Sequence, residues 1–434
     1  MHTGETAEAV GGGNALFRDN AEPSRARTAA SSAVASIAAD EPVALRTVAA
    51  RGAGYVPEVD ALRAIAMSMV ALFHCRFLPL GWMGVWLFFV ISGFSVCTCL
   101  LASTRHTTST RSLIQHFYAR RCLRIWPLYF SFIALNVVFL IAAAKTRFLG
   151  EVPYQVVFLY NLKTIFTHYT DATRWSSFMP LWTLSVEQQF YLLFPLLFML
   201  RTRRDVALAL ALIVLLSPIG RWMWGSWAYA HLGEDGRRTA FAVYAFAPVQ
   251  FDAFAVGALI ALFRSEISKH RRWMKFAVLC TLVGTLVYVG VYLAIDVSRA
   301  GVASIDGYRN IVSGVLYGQC REAFVYMLPT AGAAFLLMAL LSKERISTWV
   351  CRLPGFQAIG RISYGAYLFQ IPVLAALSAL VPAFAAGPTE SPLEDRIALL
   401  LCAYPIIVGL AWLSYHQFER RFQKAGKALM LRRT

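Results

Sequence analysis

The first apolar segment of the chain carries three residue types that can do chemistry. It opens with Asp60 and Arg63 and reaches His74 eleven residues after the arginine. At about 1.5 Å per residue, a helix would place His74 roughly 16 Å beyond Arg63 along its axis. Because a neutral imidazole can accept a proton near pH 7, His74 is a candidate general base. A hydrogen bond that ties His74 to a neighbouring helix is the alternative, structural interpretation.

Three arginines stand close together in the string FYARRCLRIWPLY. Arg121 and Arg124 are three residues apart, so they share one face of a helix. Guanidinium groups bind phosphates through paired hydrogen bonds. The pair therefore predicts a site for a phosphorylated cofactor or a lipid headgroup. A charge that only sets membrane topology is the better interpretation of Arg120, and it stays open for the other two arginines.

An acid lies inside the apolar run that begins at Leu181, in the string WTLSVEQQFYLLFPLL. A carboxylate within a membrane needs a partner. We expect Glu187 to lie near the outer end of its span and to orient His74 or polarise a substrate hydroxyl. A polar contact between helices is the alternative. Trp182 and Ser185, in the same string, are predicted as further binding residues.

Several other residues have weaker signals. Asp252 is a second intramembrane acid, and function and structure are equally open for it. Tyr364 and Tyr367 are predicted to be structural. We expect Glu419 to extend from the end of the last span to the inner interface. Glycines such as Gly93 are expected to let helices approach closely.

The composition says which elements must hold these residues. Of the 434 residues, 58% are hydrophobic and 15% are charged, against about 25% charged in a typical soluble domain. The mean hydropathy is +0.55. Runs of about 20 apolar residues can cross the bilayer as helices. The sequence predicts an all-α, polytopic membrane bundle of about ten transmembrane helices, near residues 60–78, 82–103, 123–144, 181–200, 205–225, 241–264, 273–295, 321–342, 358–381 and 394–416.

The charge pattern orients these spans. The net charge is +17, and the basic residues lie mostly between apolar runs, which favours the positive-inside rule over nucleic-acid binding. Ten spans with a cytosolic N-terminus place all five basic clusters in the cytosol, and both termini with them. A full span at 152–166 would reverse every later cluster, so we expect an interfacial or re-entrant segment there.

Three regions follow from this pattern. Residues 1–54 are predicted to be a disordered cytosolic tail, residues 55–420 a membrane domain, and residues 421–434 a basic cytosolic tail. The eight cysteines include no CxxC pair, so we predict neither a metal site nor a disulfide framework.

Five strings, in order, resemble the motifs of the acyltransferase-3 family of integral membrane acyltransferases. The resemblance as a whole runs from residue 57 to about 420. The matching strings are DALRAIAMSMVALFH, GWMGVWLFFVISGF, FYARRCLRIWPLY, WTLSVEQQFYLLFPLL and RISYGAYLFQIPV.

The resemblance implies transfer of an acyl group, usually acetyl, from cytosolic acyl-CoA to a hydroxyl of a cell-surface or lipid-linked carbohydrate. It also implies a multi-pass protein of the bacterial inner membrane that needs no metal and no nucleic acid. The family's essential histidine corresponds to His74 and its first-motif arginine to Arg63. Its arginine pair corresponds to Arg121 and Arg124, and its glutamate to Glu187.

The chain departs from the family pattern at three positions: Ala61 replaces a glycine, Gln188 a second glutamate, and Gln370 a histidine. We see no hydrolase-like domain after residue 420, so we expect transfer to be completed within the membrane domain or with a partner. A transporter or flippase for a glycolipid or organic anion is the rival class, because ten spans with intramembrane charge fit it too. A sugar transferase is disfavoured because the loops lack an acidic DxD pair.

Overall fold

The computed structural model of the protein describes residues 56–103, 110–167, 179–200, 202–269, 271–300, 311–342, 349, 351, 353–385 and 391–431. The predicted N-terminal tail lies outside these ranges. Within them the chain forms helices and no strand. The helices are α1 Pro57–His74, α2 Met83–Ser103, α3 Thr110–Ala142, α4 Val152–Val156, α5 Tyr160–Phe166, α6 Leu181–Leu193, α7 Arg203–His231, α8 Gly236–Ala245, α9 Phe251–Leu262, α10 Arg264–Lys269, α11 Arg271–Ala300, α12 Arg321–Phe324, α13 Met327–Leu341, α14 Pro354–Leu380, α15 Leu393–Ser414 and α16 Arg420–Leu431.

All ten predicted spans fall on helices, and the prediction of an all-α polytopic membrane bundle is confirmed. Seven described helices are long and apolar enough to cross a membrane, and α8 with α9 adds an eighth if this pair, bent by 68°, is one span. The helices at the other two predicted spans, α1 and α6, are not among those that are long and apolar enough to cross a membrane. Helix α1 has only 18 residues and carries three charges, and α6 has only 13 residues.

Local sequence explains where α1 and α7 begin. Helix α1 has Pro57 at its first position, where a missing N–H costs nothing, and acids in its first turn favour the helix dipole. Helix α7 begins with a capping box, in which Thr202 and Asp205 exchange side-chain and backbone hydrogen bonds. Helix α1 ends at His74, and Arg76 then takes a positive φ of 62° that turns the chain back.

Glycines set the closest helix crossings, as the sequence predicted. A Cβ on Gly93 of α2 would lie 1.9 Å from the Phe254 carbonyl oxygen of α9, and a Cβ on Gly257 of α9 would lie 1.9 Å from the Val90 oxygen of α2. Helices α2 and α9 therefore pack backbone against backbone. Helix α14 approaches α1 in the same way, because a Cβ on Gly360 would lie 1.8 Å from the Asp60 oxygen.

Helix α2 lies at the centre of the bundle, and α7 and α11 lie at its edge. Two thirds of the apolar, membrane-length stretch that contains α2 is buried inside the protein, whereas only 11% of the corresponding stretch of α11 is buried. The edge helices expose leucines that a soluble protein would bury, among them Leu212 and Leu215 on α7 and Leu286 on α11. We assign this surface to lipid.

Asp252 belongs to a buried ion pair that joins α9 to α7. The Arg221 guanidinium donates to the Asp252 carboxylate and, at 3.0 Å and 3.2 Å, to the carbonyl oxygens of Val249 and Ala323. Arg221 is fully buried and lies over the ring of Tyr326. These contacts favour the structural interpretation of Asp252.

Two predicted non-spanning segments are helical. Residues 152–166 form the short helices α4 and α5, which have five and seven residues and cannot cross a membrane. Within residues 421–434, predicted as a basic cytosolic tail, the residues up to Leu431 belong to helix α16. This helix packs against α3, where a Cβ on Gly426 would lie 3.2 Å from the Leu123 side chain.

The α2–α9 crossing gives a stability prediction. Gly257→Ala should lower the free energy of unfolding by about 1–3 kcal/mol, because the added methyl group overpacks the crossing. Gly284→Ala on α11 is the matched control. Nothing lies within 4 Å of a Cβ there, and alanine is the better helix former by about 1 kcal/mol. Thermal unfolding in detergent, followed by fluorescence-detected size exclusion, measures both. Equal Tm values for the two variants would contradict this close crossing.

Candidate active site

A cavity with both charged and apolar side chains lies between α1, α2, α3, α6 and α14. It brings together residues from all five of the resembling strings. The side chains that line it are Arg63, Val85, Phe88, Phe89, Ser92, Ser95, Arg121, Arg124, Ile125, Thr183, Leu184, Glu187, Tyr191, Ser363, Tyr364 and Tyr367.

The three predicted binding arginines all reach this cavity. Arg63 forms an ion pair with Asp60 at 2.8 Å and donates to the Ser95 hydroxyl at 3.2 Å. Arg121 is largely buried, with its guanidinium 5.2 Å from the centre of the Tyr191 ring. Arg124 lies within range of electrostatic repulsion from both other arginines. Close like charges of this kind favour an anionic ligand.

Arg120 turns away from the cavity. Its guanidinium donates to the Ser103 hydroxyl at the end of α2. The i,i+3 spacing of Arg121 and Arg124 therefore separates them from Arg120, as the helix periodicity predicted.

Glu187 lies with the arginines and not with His74. Its carboxylate accepts hydrogen bonds from the hydroxyls of Ser92 and Tyr191. The expected contact between Glu187 and His74 does not form among the described residues. Glu187 lies about one and a half turns into α6. Helix α6 crosses α2 near the middle of that helix, at Ser92. Tyr191 then connects the carboxylate to Arg121.

A third acid near the arginines, in addition to Asp60 and Glu187, was missed from the sequence. Glu419 ends a π-helical turn after α15, and it is only 4% exposed, so the expectation that it extends to the interface was wrong. It accepts a hydrogen bond from Ser414 at 3.2 Å and lies within electrostatic range of Arg124. The π turn directs it inward against Gly365, which has no side chain to obstruct it.

His74 lies at the other end of α1, outside the lining of the cavity. Its Nδ1 is 3.2 Å from Oε1 of Gln370 on α14. Tyr367, one turn before Gln370, lines the cavity, and its hydroxyl is 2.7 Å from that of Thr183. Helix α14 thus connects the arginine-lined cavity to His74 through Tyr367 and Gln370.

The family model described as an acyltransferase domain matches residues 56–416. The chain belongs to this acyltransferase family.

Curated relatives carry related names. YrhL of Bacillus subtilis, which its name assigns provisionally to the peptidoglycan O-acetyltransferases, is 25% identical over 86% of this chain and 55% of its own length. The peptidoglycan O-acetyltransferase OatA of Listeria monocytogenes is 29% identical over 39% of this chain and 29% of its own. The O-acetyltransferase OatA of Staphylococcus aureus is 24% identical over 74% and 51%. The chain spans about half the length of these relatives, or less. No solved structure matches it.

Two predicted binding residues of this acyltransferase domain face away from the cavity. Trp182 is buried with its ring 4.8 Å from that of Tyr244. Ser185 is fully buried and donates to the Leu181 carbonyl at 3.0 Å. Both stabilise helix packing, and the cavity is lined by their neighbours Thr183 and Leu184 instead. Asp60 is absent from the cavity lining, but it forms an ion pair with Arg63 and lies within electrostatic range of Arg124.

Tyr364 and Tyr367 were predicted to be structural, yet both line the cavity. Tyr364 also donates to the Ile125 carbonyl at 3.1 Å. The signal for this face was present in the sequence: Ser363, Tyr367 and Gln370 follow an i, i+4, i+7 spacing, which makes one polar stripe on an otherwise apolar helix.

The Glu187 contacts give a second prediction. Glu187→Leu should lower the free energy of unfolding by on the order of 2 kcal/mol or more, because two hydroxyls lose their acceptor and the arginines lose a counter-charge. Glu187→Gln keeps an acceptor oxygen and should lose less. Glu394→Gln, at an exposed position on α15, is the control. Thermal unfolding in detergent is the measurement, and a leucine variant as stable as wild type would refute the assignment.

Proposed function

We propose that this protein is a membrane O-acyltransferase that moves an acyl group, usually acetyl, from cytosolic acyl-CoA to a hydroxyl of a cell-surface or lipid-linked carbohydrate. The observation that carries the proposal is the position of His74 on α1, about 16 Å along the helix axis from Arg63. One helix thus bears a cationic site at one end and a proton acceptor at the other. We place the protein in the bacterial inner membrane with both termini in the cytosol, from the charge pattern.

The donor's phosphates bind to the arginines in this proposal. Arg63, Arg121 and Arg124 face one cavity, and guanidinium groups bind phosphate oxygens with short, charge-assisted hydrogen bonds. Asp60 and Glu187 keep the cluster from excessive positive charge when no donor is bound. Glu187 also orients Tyr191, whose ring lies beneath Arg121.

The acyl arm then runs along α14 toward His74. Phe88, Tyr364 and Tyr367 give this part of the cavity largely apolar walls, which suit a pantetheine chain and a thioester. His74 accepts the proton of the acceptor hydroxyl, the hydroxyl oxygen attacks the thioester carbonyl, and the CoA thiolate leaves and takes up the proton. A transient acyl-histidine fits the same arrangement.

The names of the relatives support peptidoglycan as a candidate acceptor, because Listeria OatA is named for it. Capsule, exopolysaccharide and other surface glycans offer the same chemical group, a sugar hydroxyl. The proposed reaction therefore commits to a carbohydrate hydroxyl on the outer side of the membrane.

His74→Ala gives the first test of this function. Loss of the general base should lower O-acetylation on the order of 100-fold or more. The measurement is mass spectrometry of base-labile acetate on surface glycans, in cells that contain equal amounts of folded protein. His231→Ala, an exposed histidine at the end of α7 that bonds its own helix, is the control and should be silent. Wild-type acetate levels with His74→Ala would exclude it as the base, and acetate levels independent of the whole protein would favour a transporter.

The arginines give a second test. Arg121→Gln and Arg124→Gln should each raise KM for acetyl-CoA about 10-fold or more, because each removes charge-assisted hydrogen bonds worth about 1.5–3 kcal/mol. Arg120→Gln, on the same helix but bonded to Ser103, is the matched control. Inside-out membrane vesicles and radiolabelled acetyl-CoA give the kinetics. The difference should vanish when acetyl-pantetheine, which lacks the nucleotide phosphates, replaces acetyl-CoA. A KM unchanged by both substitutions would return the pair to a topological role.

A further inference from the structure

Gln370 is the polar side chain that contacts the proposed base. It is fully buried on α14, and its Oε1 lies 3.2 Å from Nδ1 of His74. Its other amide atom, Nε2, is buried and has no hydrogen-bond partner in the described part of the chain. A buried donor without a partner costs about 1–3 kcal/mol. Such a cost calls for an explanation where the group lies beside a reactive residue.

The position of Gln370 connects the two ends of the site. Ser363 and Tyr367 line the arginine cavity from the same helix, and Gln370 continues their spacing. It lies three residues after Tyr367, about 4.5 Å further along the axis. Tyr367 is fixed by its contact with Thr183 at 2.7 Å. A thioester that extends past Tyr367 along this face therefore reaches Gln370 and His74 together.

The hydrogen bond to Gln370 selects one form of the imidazole. An amide oxygen only accepts, so Nδ1 of a neutral His74 must carry the proton. The lone pair is then on Nε2, which is the form that a general base at Nε2 requires. The Nε2 amide nitrogen of Gln370 carries two N–H donors, and the hydrogen bond through Oε1 already fixes its position.

We propose that Gln370 is a catalytic residue with two functions, which rest on the function proposed above: Oε1 holds His74 in the Nδ1–H form, and Nε2–H donates to the oxygen of the acyl carbonyl. In the step itself, the acceptor hydroxyl gives its proton to Nε2 of His74 and forms the new C–O bond. The carbonyl electron pair moves onto the oxygen that Gln370 contacts. Collapse of this oxyanion breaks the C–S bond, and the CoA thiolate takes the proton back from His74.

A donor to this oxygen acts mainly on the transition state, where the negative charge develops. Loss of one such donor typically costs about 100-fold to 1,000-fold in kcat. A group that only packed the bundle would change the amount of folded protein instead. A group that only bound the donor would change KM. The division between kcat and KM therefore separates the three roles.

The experiment measures kcat and KM for radiolabelled acetyl-CoA in inside-out membrane vesicles, with surface glycan of the producing strain enclosed as the acceptor. Gln370→Met has a similar volume and no hydrogen-bonding group. Gln370→Glu keeps an oxygen for Nδ1–H and removes the donor. Gln357→Met is the matched control, because Gln357 lies on the same helix but bonds the Cys351 carbonyl at 2.6 Å, outside the cavity.

We expect Gln370→Met to lower kcat on the order of 100-fold with KM within about twofold of wild type, and Gln357→Met to leave both near wild type. Gln370→Glu should also lose at least about 10-fold in kcat, because the tautomer contact remains and the donor does not. A Gln370→Met variant with kcat within threefold of wild type, or with a loss confined to KM, overturns the proposal. If that variant does not fold, Gln370→Glu decides by the same criterion. Wild-type vesicles that transfer no acetyl group would instead refute the proposed function itself.

Discussion

The low dielectric of a helix bundle sets the central constraint on this protein. Three arginines share one cavity, and charges in such surroundings persist only with counter-charges or hydrogen bonds. The acids that provide counter-charge to the arginines come from separate parts of the chain: Asp60 from α1, Glu187 from α6 and Glu419 from the turn after α15. Each acid ties its element to the site, so charge compensation also determines which helices must meet.

The central helix follows from this requirement. Helix α2 supplies Ser92 to Glu187 and Ser95 to Arg63 from one face. Its opposite side must then pack closely enough to fill the bundle without another polar group. Gly93 and Gly257 permit that approach, since neither could carry a side chain at the α2–α9 crossing. Ser92 and Gly93, adjacent in one motif, thus serve a single arrangement, with hydrogen bonding on one side of α2 and close packing on the other.

The sequence predicted the features that depend on periodicity and composition. The ten helical segments, the common face of Arg121 and Arg124, and the close glycine crossings all follow from spacing along one helix. The depth of a residue in the membrane and the direction of its side chain do not follow from this spacing. Glu187 was expected beside His74 because Leu181 was taken as the outer membrane boundary, yet the crossing of α6 with α2 determines its neighbours. Glu419 was missed because a π turn changes the direction of its side chain, and local spacing does not encode that turn.

The same limit explains why Trp182 and Ser185, predicted as binding residues, lie in the helix packing and not in the cavity lining. A string such as WTLSVEQ fixes which residues neighbour one another in sequence, but only every third or fourth position of a helix can face a cavity. Thr183, Glu187 and Tyr191 occupy that face, at i, i+4 and i+8. Applied to the whole motif, the i, i+4 rule would have placed Trp182 and Ser185 in the packing.

Helix α1 carries both the arginine of the cationic site and the imidazole. Arg63 and His74 are on one rigid element, so the distance between the cationic site and the imidazole is fixed by helix geometry and not by loop conformation. Helix α14 runs beside it, held at Gly360 against the Asp60 backbone at one end and by Gln370 against His74 at the other. In the function proposed above, a donor bound by its phosphates at the arginines presents its acyl group along this shared seam. The acceptor of that proposed reaction then needs no access to the donor's side of the membrane, because the two substrates meet at His74.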